Sequence, residues 1–255
     1  MTPPVLCYHR VGGPPELGVT RVSRAVFERQ MTALARDGWR TVSLAEFADP
    51  RTARRAPRTF LLTFDDGYAN LADHAYPILE HLDFTATTFL ITDFVGRTNT
   101  WDARYTWSRL EHLRWDAVER WQARGFDFGS HGAAHQRLTW LSDSAVLSDL
   151  RRSRGALIDR LGPAAGMALA YPFGAVDARI IRLATQIGYG LGFGGVRGTG
   201  TLLHRARVPV YLWDVGSVPL GLRRDRFGAL GRLVAHAANR CAIGTSIINR
   251  VRGPR

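Results

Sequence analysis

The chain has 255 residues, 45% of them hydrophobic, and a formal charge of +12. That hydrophobic share excludes a disordered chain, and the length suits one large domain, such as a (β/α) barrel of about 250 residues. No apolar run reaches the ~18 residues of a transmembrane helix. Met1–His9 has no basic stretch leading into a long apolar region, so it does not read as a signal peptide and the expectation is a cytoplasmic protein. Cys7 and Cys241 are too few for a disulfide framework, and Cys7, in an apolar run, reads as a small buried side chain. Every basic residue is arginine, and the charge is uneven: Leu222–Arg255 carries eight Arg and one acid.

Val5–Tyr8 reads as a short buried strand, followed by a loop at Gly12–Pro15. Ser23 caps a helix with Phe27, Met31, Leu34 and Ala35 on one face, ending at Gly38. Ser43 and Glu46 have capping-box spacing for a second, short helix. Thr59–Phe64 is a strand apolar on both faces, and a helix over about 69–82 follows, kinked at Pro77. Ala86–Ile91 is the next strand. Residues 101–124 read as loop and helix, closed by Gly125. Then come a strand at Phe126–Gly129, a helix from Ser142 to about Leu161 and a strand at Ala168–Tyr171. A helix at Asp177–Ile187, a strand at Tyr189–Phe193, a Gly-rich loop and a last strand at Val208–Leu212 complete the pattern. Strands alternating with helices predict an α/β fold with a parallel sheet, and the length favours a closed or nearly closed barrel.

Four polar clusters each follow a predicted strand: His9, Asp65-Asp66-Gly67, His131 with His135, and Pro172-Phe173-Gly174. In parallel α/β architectures function collects at the C-terminal ends of strands, so these share one rim. Side chains alternate along an extended chain, so Asp65 and Asp66 point different ways. One suits a cation and the other a reaction centre; the bland alternative is an ordinary Asp-Asp-Gly loop. His131 and His135, four apart, lie on one face if the turn is helical, and can share a metal; the alternative is two unrelated surface histidines. Two His and one Asp leave one position open for water, the pattern of catalytic zinc. Such a metal acidifies bound water to about pKa 7, and a neighbouring carboxylate can take the proton. His9 is placed as a proton donor. His74, His81 and His112 fall on predicted helices as surface or packing residues, and Trp107, Trp115, Trp121 and Trp140 read as core or rim.

Thr63-Phe64-Asp65-Asp66-Gly67-Tyr68, Ser130-His131-Gly132-Ala133-Ala134-His135 and Ala170-Tyr171-Pro172-Phe173-Gly174, in this order, resemble the polysaccharide deacetylases (NodB-type, carbohydrate esterase family 4) over about 5–211. The resemblance implies a distorted (β/α)7-type barrel that removes acetyl groups from sugars with one divalent metal, most often zinc. It implies Asp65 as general base, with Asp66, His131 and His135 as metal ligands. It gives the loop Tyr171-Pro172-Phe173-Gly174 to the groove wall, with the Phe173 amide at the oxyanion. Trp101 and Asp102 are further candidates to line the sugar groove. The chain departs from the family where many members carry a base-orienting Arg, because here that position is Ala170; the later Asp–Trp motif that pairs with it is also missing. What tunes Asp65 is thus open. The general acid has two candidates: Leu6-Cys7-Tyr8-His9 matches a permuted branch that includes exopolysaccharide deacetylases, and His204 in Leu202-Leu203-His204 is the alternative. The expected substrate is an acetylated saccharide, lipid-linked ones included. The alternatives are a catalytically inactive saccharide-binding barrel and a hydrolase of a non-sugar amide.

Phe227, Leu230, Leu233, Val234, Ala237 and Cys241 repeat at helical spacing with Arg between them. The organisation expected is a catalytic barrel over 1–221 and a basic amphipathic extension over 222–255. The extension either packs on the barrel or makes a peripheral contact with an anionic membrane. No nucleic-acid partner is expected, since no recognition motif accompanies the charge.

Overall fold

The apolar run Thr59–Phe64 forms a strand buried at every position. Such a strand needs cover on both faces, which a parallel sheet curled on itself beneath outer helices provides. The computed structural model describes residues 2–13, 19–49, 51, 58–100, 110–219 and 222. Its strands are β1 (Val5–Tyr8), β2 (Arg10–Val11), β3 (Arg21–Val22), β4 (Arg40–Thr41), β5 (Thr59–Phe64), β6 (Thr87–Leu90), β7 (Asp127–Ser130), β8 (Ala168–Ala170), β9 (Leu191–Phe193) and β10 (Val208–Pro209). The main sheet runs β10-β1-β5-β6-β7-β8-β9, with β4 also on β5, and every pair in it is parallel. One stretch joins the two sheet edges. Gly192 N–H donates to Leu202 C=O, Arg205 N–H to Gly192 C=O and Gly194 N–H to Arg205 C=O, and the chain then continues into β10 against β1. The result is a distorted (β/α) barrel whose seam is the segment 202–209.

Alternation along the strands sorts the core into two layers. Val5, Leu61, Phe89, Ala168, Ala170, Leu191 and Phe193 pack together with Leu44 and Phe47 of the helix Leu44–Ala48. Leu6, Tyr8, Phe60, Leu62, Phe64 and Phe128 form the other layer, against Phe27, Met31, Leu34 and Leu79 of the surrounding helices.

The helix caps follow the sequence signals. The Ser23 side chain accepts from Val26 N–H to start Arg24–Arg36, and both bonds of the Ser43–Glu46 capping box are present. Ser142 starts Asp143–Leu161, and Asp177 caps Ala178–Ile187 rather than opening it. The expected kinked helix over 69–82 is instead two, Leu71–His74 and Tyr76–His81, with Pro77 in the first turn of the second. Proline lacks the N–H that a continuous helix needs and fits a first turn without cost, so the break falls ahead of it. The strand expected at 126–129 begins one residue later, and the last strand is shorter than 208–212. Residues 223–255, and with them the proposed amphipathic helix, lie outside the described residues, as do Trp101 and Asp102. No helix among the described residues is long and apolar enough to cross a membrane.

Candidate active site

The four polar clusters do follow strands, on one rim of the barrel: His9 after β1, Asp65 and Asp66 after β5, His131 after β7, and Tyr171–Gly174 after β8. Asp66, His131 and His135 each offer one ligand atom, and these atoms lie within 4.8 Å of one another. Asp66 Oδ1 stands 3.5 Å from the Nε2 atoms of both histidines. Ligands at 2.0–2.1 Å around a tetrahedral ion are separated by about 3.3–3.4 Å, so the donor set fits a divalent metal such as zinc. All three are buried. His131 Nδ1–H donates to Ala170 C=O at 2.8 Å, which leaves Nε2 as the nitrogen able to ligate an ion. Burial lowers both imidazoles, His135 the more so, and keeps them in the neutral form that binds metal.

The two histidines do not meet through a helical turn. His131 follows strand β7, Gly132 has φ 75° and His135 has φ 53°. The loop between them is held by Asp149, whose carboxylate accepts Ala133 N–H at 2.9 Å and Ala134 N–H at 3.1 Å. A Cβ on Gly132 would lie 2.9 Å from Asp149 Oδ2, so both its left-handed backbone and its missing side chain are used. Asp66, at φ 68°, is a second candidate ligand in the left-handed region, which aspartate enters more readily than most side chains. His112 is not a helical surface residue: it is buried, stacks on Tyr68 with ring centroids 5.0 Å apart, and donates from Nδ1 to Asp66 C=O at 2.8 Å.

Neither aspartate lies within the strand and Asp66 takes left-handed backbone, so the expected alternation does not carry over. Both carboxylates approach His131 Nε2, Asp66 Oδ1 at 3.5 Å and Asp65 Oδ2 at 3.8 Å. What sets Asp65 apart is its partner. Arg207 grips it in a fork, Nη1 to Oδ1 at 2.6 Å and Nη2 to Oδ2 at 2.7 Å, with both side chains buried. Burial alone would raise the Asp65 carboxyl, but Arg207, aided by His131 and His9, overcomes it and holds the group well below the usual carboxylate range. Arg207 is itself anchored on the seam, its Nε–H donating to Gly194 C=O at 2.9 Å. It supplies the cation that Ala170 cannot. The sequence flagged that deficit but not the substitute, since nothing local marks one arginine among many.

His9 belongs to a second close group, with Cys7 and Asp65. Burial pulls its imidazole down to about 4 against an opposing push from Asp65. His204 lies elsewhere on the seam, against Gly194. Tyr171 and Pro172 are buried, and the Tyr171 hydroxyl donates to Leu203 C=O at 2.9 Å. Phe173 takes φ 60°, ψ 11°, with its ring 4.6 Å from that of His135. Gly174 packs on the Gly194–Gly195 backbone, where a Cβ would meet Gly195 Cα at 2.8 Å.

The curled parallel barrel thus carries on one rim a two-histidine, one-carboxylate group that could hold a metal ion and, beside it, a separately paired carboxylate. The family model for polysaccharide deacetylase matches residues 52–192, more than half of the chain. The Bacillus subtilis protein YxkH, whose name places it among polysaccharide deacetylases, is 27% identical, covering 80% of this chain and 71% of its own. The poly-β-1,6-N-acetyl-D-glucosamine N-deacetylase of Staphylococcus epidermidis is 26% identical, covering 74% of this chain and 70% of its own. The deacetylase PplD of Streptococcus pyogenes, solved with acetate, superposes with a TM-score of 0.74 at 22% identity, over 84% of this chain and 94% of that one. IcaB from Ammonifex degensii gives 0.66 at 24% identity, over 89% and 94%. At such identities the two structures show the shared fold. The chain belongs to the polysaccharide deacetylase family, enzymes that hydrolyse acetyl groups from saccharides.

Proposed function

We propose that the protein is a metal-dependent N-deacetylase of saccharides built from N-acetylhexosamine, with Asp65 as base and His9 as acid. One observation carries this reading: a three-ligand group and a separately paired carboxylate adjoin on one rim, with His131 Nε2 3.5 Å from Asp66 Oδ1 and 3.8 Å from Asp65 Oδ2. Asp66, His131 and His135 would hold the ion, and three protein ligands leave a position open, as catalytic sites do. A divalent ion there supplies polarisation of the acetyl carbonyl and acidification of water. Asp65, kept ionised and oriented by Arg207, accepts the proton of the attacking water. The Phe173 amide, in its left-handed turn beside His135, is assigned to the oxyanion, a contact worth roughly 3–4 kcal/mol in such sites. His9 is assigned the proton for the departing amine because it shares a close group with Asp65, whereas His204 sits against Gly194. Since burial holds His9 near 4, it is neutral at rest at neutral pH. The proton that Asp65 takes from the attacking water passes to His9 within their close group and from there to the departing amine. The polymer named for the Staphylococcus epidermidis relative makes N-acetylated β-1,6-glucosamine oligomers the first substrates to try.

The test is metal content of the purified chain beside a His131→Ala variant, followed by acetate release from those oligomers. Near one divalent ion per chain, lost in the variant, and acetate release that tracks the ion are expected. No metal in either protein after reloading with zinc overturns the reading. Binding of oligomers by the loaded protein without acetate release would mark a saccharide-binding barrel instead.

A further inference from the structure

Strand alternation brings a second set of ligand types together beside the first. Cys7 pairs with Thr63 in the parallel register of β1 and β5, so Cys7 and His9 lie on the same face as Thr63 and Asp65. Cys7, His9 and Asp65 each present a ligand atom, all within 4.8 Å of one another. Cys7 Sγ is 3.6 Å from Asp65 Oδ2. For a tetrahedral ion with a sulfur ligand at about 2.3 Å and an oxygen at about 2.0 Å, the two ligands stand about 3.5 Å apart. His9 Nδ1 is buried with no hydrogen-bond partner among the described residues. The Asp66–His131–His135 group shares no residue with this set.

We infer that Cys7, His9 and Asp65 form a second, inhibitory cation site that takes a thiophilic divalent ion, such as cadmium or zinc beyond the first equivalent. The donor set chooses the class of ion. Thiolate and imidazole favour soft cations over magnesium or calcium, which prefer oxygen. Arg207 lies against both oxygens of Asp65 and its charge opposes any cation there, so the site needs an ion whose bond to sulfur outweighs that repulsion. The buried thiol gives up its proton to solvent as the sulfur–metal bond forms, so the ion must bind sulfur strongly. Occupancy ties up Asp65 and His9 together. On the functional reading above, which this inference extends, that removes base and acid at once and lowers turnover by about a hundredfold or more.

The test is cadmium titration of the zinc-loaded chain in a Cys241→Ser background, which leaves Cys7 as the sole thiol. The readouts are the ultraviolet thiolate-to-cadmium charge-transfer band, bound zinc and cadmium per chain, and acetate release relative to each protein's own cadmium-free rate. Expected are the band, one cadmium bound while one zinc stays, and inhibition. The band and the extra equivalent are lost in Cys7→Ala and in the closer-sized Cys7→Ser, and both variants resist inhibition. A missing band, a band that grows only as zinc leaves, or equal inhibition of the Cys7 variants overturns the proposal. If the zinc-loaded protein releases no acetate at all, the deacetylase reading fails on its own, and the band and stoichiometry still decide the second site.

Discussion

Asp65 and Asp66 are neighbours in the chain, yet the two halves of the site they begin are held in different ways. Asp66 and its histidines are set by hydrogen bonds to nearby backbone: His112 to the Asp66 carbonyl, His131 to the Ala170 carbonyl, and Asp149 to the amides of Ala133 and Ala134. Asp65 is set by a full buried ion pair whose cation arrives from the barrel seam, 142 residues away in sequence. The metal half therefore depends on hydrogen bonds between loops 15 to 46 residues apart, and the base half on an ion pair that needs closure of the barrel. Damage to the first should cost the ion. Damage to the second should cost rate and stability while the ion stays.

The largest effects separate the halves directly. Asp66→Ala is expected to lose the metal and all detectable acetate release. Asp65→Asn keeps the metal and loses about 10²–10⁴ in turnover, the usual worth of a general base. Elemental analysis beside an acetate assay reads both, and loss of metal in Asp65→Asn would merge the two halves into one. His9→Ala is expected to cut turnover by about 10² or more, and His204→Ala by far less. The reverse ranking would move the acid to the late Leu-x-His segment.

Arg207→Gln probes the base half through stability. Leaving a buried charge without its partner costs about 3–5 kcal/mol, so urea unfolding should show a loss of that order at neutral pH with metal content unchanged. The sign with pH follows from the depressed Asp65 carboxyl. Such a group stabilises the fold fully above its unfolded value of about 3.9, and that contribution is lost as pH falls through the folded value. The gap between wild type and variant is thus widest at neutral pH and narrows on acidification. A gap that widens instead would mean that Arg207 serves packing and not the pair.

The same division explains what the sequence revealed. The ligands were legible because they sit in short motifs beside strands whose apolar runs, such as Thr59–Phe64, are unmistakable. Strand alternation did not separate Asp65 from Asp66, because the strand ends at Phe64 and Asp66 takes positive φ; their different partners do. The helical reading of His131 to His135 failed because spacing carries no backbone angle, and Gly132 and His135 both take positive φ. His112 read as a surface or packing residue on a predicted helix; it packs, but its bond to the Asp66 carbonyl was not legible because that contact is tertiary. Arg207 was invisible because long-range pairing across a seam leaves no periodic trace, and the chain has arginine everywhere. The tail's amphipathic pattern is clear in sequence, but it falls on residues outside those described.

The smallest effect expected tests whether the metal half is as separate from the base half as its hydrogen bonds suggest. Asp149 touches no ligand atom; it acts through the amides of Ala133 and Ala134, which fix the turn carrying His131 to His135. Its carboxylate is buried on the helix Asp143–Leu161. Asp149→Ala leaves those two amides unsatisfied and frees the turn. Outer supports of this kind are worth about 10–100-fold in metal affinity, so zinc competition with a chelator should show a loss in that range. Saturating zinc should restore most of the turnover, because Asp65 and Arg207 do not share this support. If turnover stays low at saturation, the turn sets the reacting geometry as well as the affinity, and the two halves are coupled through His131, whose Nε2 stands 3.8 Å from Asp65 Oδ2.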